Sequence, residues 1–72
     1  MTGITYEEAV EQFREGILPL IVFAYEGDGV PDYPARSEAW SNFVDGLVTD
    51  MQASIDAFLW EHPDECWAPW ER

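Results

Sequence analysis

Apolar side chains recur at Tyr6, Ala9, Val10, Phe13, Ile17, Leu20, Ile21 and Ala24. This three-and-four spacing lines one face of an α-helix. Glu7, Glu8, Glu11 and Glu15 fall on the opposite face, with Arg14 at its margin. Thr5, followed three residues later by Glu8, has the form of a capping box that opens the helix. Glu7 and Glu8 stand in the first turn, where the helix dipole favours negative charge. Gly16 and Pro19 interrupt the pattern. Pro19 has no amide proton for the Glu15 carbonyl and its ring crowds that turn, so a kink or restart is expected there. Leu20 to Tyr25 reads as a continuation of the helix. A buried strand is the alternative for this branched and aromatic run, but a lone strand has no pairing partner in the chain.

Residues 26–36 carry two Gly and two Pro and read as a loop. Ser37 then serves as the expected cap of a second helix running to about Glu61. Its seam is Trp40, Phe43, Val44, Leu47, Met51, Ile55 and Phe58. From His62 to Arg72 the chain contains Pro63 and Pro69 and two tryptophans, Trp67 and Trp70, and is not regular helix. Two Trp side chains need somewhere to pack, so this tail folds back over the helices or meets a partner. The pattern thus predicts an all-α fold in one domain, residues 1–72. Its architecture is a helical hairpin, the first helix kinked or broken near Pro19, with an irregular Trp-rich tail. Two helices make a thin core. The tail supplies the missing layer, or two chains pair their seams into a four-helix dimer. The length of the seam favours the homodimer.

Charge changes this picture most. The chain has 72 residues, fifteen Asp and Glu, three Arg and no Lys, for a net charge of −12. Such density of one sign suggests disorder, but 47% of the residues are hydrophobic and there is material for a core. DNA, RNA and anionic membranes would repel the protein, so the expected partner is a protein with a basic surface. Cys66 is the only cysteine, so no disulfide forms within the chain. No basic segment precedes an apolar leader stretch, and the run Ile17 to Tyr25 is too short to span a bilayer. A cytoplasmic protein is expected.

Candidate chemistry is sparse. Counted from Glu26, the acidic loop with Asp28 and Asp32 puts Val30, Pro31 and Ser37 where a calcium loop needs an oxygen ligand, a Gly and a Glu. His62, Asp64, Glu65 and Cys66 lack the second pair of ligands that zinc requires, and His62 reads more simply as complementing a helix C-terminus. With one His, no Lys and no phosphate-binding loop, there is no recognisable nucleophile and base. The expectation is a non-enzyme without metal or cofactor.

The arrangement of acids on the second helix is more informative. Glu38, Asp45 and Asp56 project within about 20° of one line, spaced about 10 and 16 Å along the axis. The first-helix glutamates form a denser stripe. Carboxylates on a rigid helix can occupy the Lys and Arg that read a phosphate backbone. Ordinary helices interleave both signs to form i,i+4 pairs, whereas this chain has almost no countercharge. Trp60 falls within about 40° of the same line, which makes it a candidate aromatic anchor unless the returning tail covers it. In size, charge and aromatic content the chain resembles the small acidic DNA-mimic proteins of bacteriophages, among them uracil-DNA glycosylase inhibitors, antirestriction proteins and anti-CRISPR proteins. Ala53-Ser54-Ile55 is similar to a Glu-Ser-Ile segment of a glycosylase inhibitor, with Ala53 in place of the acid. The resemblance implies an inhibitor that blocks a nucleic-acid-binding enzyme in a host cytoplasm. The residues expected to touch the partner are Glu38, Asp45, Asp56 and Trp60, with Glu7, Glu8, Glu11 and Glu15 as a second face. The alternative is an antitoxin- or adaptor-like module that docks through the hydrophobic seam and the Trp-rich tail.

Overall fold

The computed structural model describes residues 3–71, and these are mostly helical, 70%, with no strand among them. Helix α1 spans Tyr6–Gln12. It opens with the capping box: Thr5 Oγ1 accepts from the Glu8 amide at 3.1 Å, and the Glu8 carboxylate accepts from the Thr5 amide at 2.9 Å. A π-helical turn, Phe13–Ile17, leads directly into α2, Leu18–Tyr25. The disturbance expected at Pro19 takes this form, and helical backbone runs on from Tyr6 to Tyr25. The Leu18 amide bonds back five residues to the Phe13 carbonyl. One residue added to the turn shifts the register where Pro19 lacks its donor, and Pro19 itself lies in the first turn of α2. Residues 20–25 are helix, because the chain continues the preceding turns and offers no strand partner.

Helix α3, Tyr33–Thr49, departs from expectation at both ends. It starts four residues before Ser37. Asp32 is the cap, its Oδ1 accepting from the Ala35 amide at 3.1 Å, and Pro34 stands in the first turn. It stops well short of Glu61. After Leu47 the sequence turns to Thr49, Asp50 and Ser54, whose short polar side chains compete with the helical backbone. Met51 adopts a left-handed φ of 61°, and the Gln52 and Ala53 amides both donate to the Leu47 carbonyl, at 2.8 and 3.1 Å. This is the left-handed closure that ends many helices, with Met where Gly is usual.

The corrected ends redraw the seam. Trp40, Val44 and Leu47 are buried and Phe43 half-buried, but Met51, Ile55 and Phe58 are exposed because they lie beyond the helix. Beyond Ser54 a 3₁₀ segment, Ile55–Leu59, follows.

The core is aromatic. Phe13 meets Trp40 edge-on at 5.3 Å between ring centroids and also touches Phe43. Tyr6 stands edge-on to Trp40 and to Trp60. Ala9, Val10, Val44, Leu47 and Ala57 fill the space between. At one end the Ile4 amide donates to the Gln52 carbonyl at 2.7 Å, and a Cβ on Gly3 would come within 2.5 Å of that oxygen, so the approach requires glycine. The tail adds a further layer, with Pro63, Cys66 and Ala68 buried. Ser37, expected as a cap, lies inside α3 and donates its hydroxyl to the Cys66 carbonyl at 3.2 Å. The molecule measures 43 × 24 × 16 Å. Among the described residues no helix is long and apolar enough to cross a membrane.

Candidate protein-interaction surface

Charge is distributed by what each arginine is given to hold. Arg36 grips Glu26 with two parallel bonds, Nε to Oε2 at 2.7 Å and Nη2 to Oε1 at 2.6 Å, and donates Nη1 to the Glu65 carbonyl at 3.0 Å. A fork matched to a carboxylate is the strongest form of ion pair. Glu26 is only 8% exposed, and the Arg36 guanidinium beside it holds its carboxyl below the usual range. This pair joins the end of the first helix, α3 and the tail. Arg14 pairs with Glu65 at 2.6 Å across the other side of the tail, in a more exposed setting. Both described arginines are therefore engaged within the fold.

Most of the other acids face water, Asp32 being half-buried at the cap of α3. Glu7, Glu8, Glu11 and Glu15 are all exposed along the first helix. Glu7, Glu11 and Glu15 border an open concavity of about 480 Å³ between that helix and the tail, with Tyr6, Val10 and Pro63 as its apolar part. Glu8 is engaged by its capping bonds, and the Thr5 amide holds its carboxyl below the usual range. Glu38 and Asp45 stand exposed on α3, seven residues apart and so about two turns along one face.

Asp56 does not share their line. It is exposed, but α3 has ended seven residues earlier and Asp56 belongs to the 3₁₀ segment. The straight three-acid line is thereby corrected to a two-acid line on α3 and a separate acid beyond it. Trp60 is not an outward anchor on a helix face. It is half-buried, packed on Tyr6 with centroids 5.7 Å apart. A 3₁₀ segment has three residues per turn, so Trp60, which caps its end, follows Ala57 on one ridge, and the burial of Ala57 turns that ridge toward the core.

His62 likewise does not stand at the end of α3, which closes at Thr49. Its Nε2 lies 3.4 Å from the Ser41 hydroxyl and its ring contacts Trp67. Cys66 is buried, and burial pushes its thiol up to about 11. Among the described residues no three His, Cys, Asp or Glu side chains gather as a metal site. In the tail, Trp67 donates its indole N–H to the His62 carbonyl at 3.2 Å, and Trp70 is exposed with one edge on Tyr33.

The apolar spacing alone did not foretell two exposed apolar surfaces. On α2, Leu20 and Phe23 point outward, Phe23 at 88% exposure, and no residue of this helix is fully buried. Beyond α3, Met51 is 86%, Ile55 73% and Leu59 83% exposed. The signal for the second was the cluster Thr49, Asp50 and Ser54, which ends the helix and releases the seam. Comparison of the chain with protein-family models, with curated proteins and with solved structures gives no match.

Proposed function

We propose that this protein is a DNA-mimic type inhibitor that binds a basic, nucleic-acid-binding enzyme and blocks its access to nucleic acid. One observation carries the reading. Glu7, Glu11, Glu15, Glu38 and Asp45 stand exposed on helical backbone while Arg14 and Arg36 are occupied by Glu65 and Glu26. Among the described residues no arginine is left over for these outward carboxylates, which supports their being available to Lys and Arg of a partner. Carboxylates fixed on helices compete for those residues as phosphates do, and their binding weakens as salt rises. Glu8 and Asp56 are further exposed acids. Binding is stoichiometric, and no reaction is catalysed. The test is to measure binding of a captured partner across a salt series, for the parent and for an Asp45→Lys, Glu38→Lys variant. Steep salt dependence with at least thirtyfold weakening in the variant is expected, as for loss of hot-spot contacts of about 2 kcal/mol. Equal affinity of parent and variant would remove this face from the account.

A second reading, an adaptor- or antitoxin-like module that docks by apolar contact, is favoured by α2. Leu18 to Tyr25 contains no charged residue, in a chain with a net charge of −12. A second copy can meet this helix across a two-fold axis without bringing carboxylates of α2 together. The proposed homodimer therefore uses Leu20 and Phe23 and not the Trp40 to Leu47 seam, which the first helix covers. Sedimentation at micromolar concentration should give two chain masses for the parent and one for Phe23→Asp. A single chain mass for the parent would refute the dimer.

A further inference from the structure

The segment from Asp50 to Leu59 combines three features that the fold itself does not require. First, Met51 occupies a left-handed backbone conformation, φ 61°, that glycine adopts without strain, yet its long apolar side chain is 86% exposed. Second, the 3₁₀ geometry sorts the following residues into ridges. Ala57 is buried and Trp60 half-buried toward the core, so Ile55 with Phe58, and Asp56 with Leu59, form the two ridges that face away. Ile55 and Leu59 are 73% and 83% exposed. Third, two exposed acids, Asp50 and Asp56, lie among these apolar side chains.

We propose that Met51, Ile55 and Leu59 form an apolar hot spot that inserts into a hydrophobic groove on a partner protein edged by Lys or Arg. The inference rests on the acidic-inhibitor reading and names the surface that adds an apolar anchor to it. Charge complementarity selects the occupant. Asp50 precedes Met51 and Asp56 follows Ile55 in the chain, both exposed, and the surface that covers these side chains must bring cations to them. The described arginines of a second copy bring none to this place. Its Arg14 and Arg36 are held by Glu65 and Glu26, and its own Asp50 and Asp56 would be added to the repulsion. Exposed apolar groups rimmed by charge are the arrangement in which burial supplies affinity and the rim supplies orientation and on-rate.

The experiment is methyl and amide NMR of the full chain titrated with three 14-residue peptides. One is an amphipathic Leu/Lys peptide, one its Leu/Glu counterpart, and one a Ser/Lys peptide with charge but no apolar face. The Leu/Lys peptide should shift the signals of Met51, Ile55 and Leu59. An Ile55→Ser, Leu59→Ser variant should weaken that peptide at least tenfold and leave Ser/Lys binding unchanged. Both side chains are largely exposed, so the variant keeps the fold, which its amide spectrum checks. Asp56→Asn should weaken the Leu/Lys peptide while leaving the apolar contacts in place. The proposal is overturned if the Leu/Glu peptide binds as tightly, if the shifts map to Leu20 and Phe23, or if either variant binds undiminished. Basic peptides that bind without moving the Met51 to Leu59 signals overturn it while leaving the acidic reading intact. If neither basic peptide binds, both readings fall together.

Discussion

Replacing Glu26 by Gln keeps the shape of the side chain and removes its charge from beneath Arg36. The native arrangement has bonds of 2.7 and 2.6 Å in a site where Glu26 is 8% exposed and the Arg36 side chain 15%. Removing one partner of a buried pair costs about 3–5 kcal/mol, because the remaining charge stays desolvated. Arg36 keeps its bond to the Glu65 carbonyl and some contact with water, which places the cost near about 3 kcal/mol. A domain of this size has roughly 4–11 kcal/mol of stability in total. The melting temperature should fall by about 12–24 °C. The effect has a pH signature. Arg36 holds the Glu26 carboxyl below its ordinary range, so the pair's contribution is fully present above that range. It is lost as pH falls through the lowered folded value. Urea unfolding of parent and Glu26→Gln at pH 6.5 and at progressively lower pH measures both. The stability gap should be widest at pH 6.5 and should narrow on acidification. A gap below about 1 kcal/mol at pH 6.5 would mean that the pair behaves as an exposed one, and the account of how the tail is held would be wrong.

Met51→Gly relieves the left-handed strain at the end of α3 and should raise stability by about 0.5–1 kcal/mol by urea unfolding, net of the extra freedom of the unfolded chain; any loss would contradict the closure described. Cys66 is buried with its thiol pushed up to about 11, so alkylation at pH 8 should be slow in the native protein and rapid in denaturant. Equal rates in the two states would refute its burial. Because folding confines fifteen acidic groups against three arginines, added salt should raise the melting temperature between low and moderate ionic strength. A flat or falling curve would count against an uncompensated acidic surface.

Local signals in the sequence were readable where one residue type has one physical use. Thr5 and Glu8 announced a capping box, and the apolar spacing announced the first helix and its buried residues Ala9, Val10 and Phe13, but Leu20 and Ala24, which keep that spacing, are exposed. Pro19 announced a disturbance, but its form depends on how the backbone shares the missing bond, and a π turn satisfies it as well as a break. Ser37 was the expected cap of α3, but Asp32 holds that place, with Pro34 in the first turn. The apolar spacing beyond Leu47 was misleading. Met51, Ile55 and Phe58 keep helical steps, but periodicity reports which residues would share a face if the helix continued, not whether it does. The helix ends at Thr49 with the left-handed closure at Met51, and this displaced Asp56 and Trp60 from the proposed binding line. The exposed glutamates of the first helix and Glu38 and Asp45 were legible because a stripe of one sign on a short helix faces water. The Glu26–Arg36 pair was not, because it joins positions across a loop whose length and cap set their approach.

The central claim is that the exposed carboxylates displace nucleic acid from a protein that binds it. Bacterial extract loaded on DNA-cellulose and washed with micromolar protein tests this directly, since only a competitor for the DNA site releases a bound enzyme. The comparison is a variant with Glu7, Glu8, Glu11, Glu15, Glu38 and Asp45 changed to amides; the Glu8→Gln change keeps a side-chain oxygen to close the capping box. The account predicts that the parent releases a discrete set of proteins at low salt, that the release fades as salt rises, and that the amide variant releases none of them. Release by both proteins alike, or by neither, would contradict it.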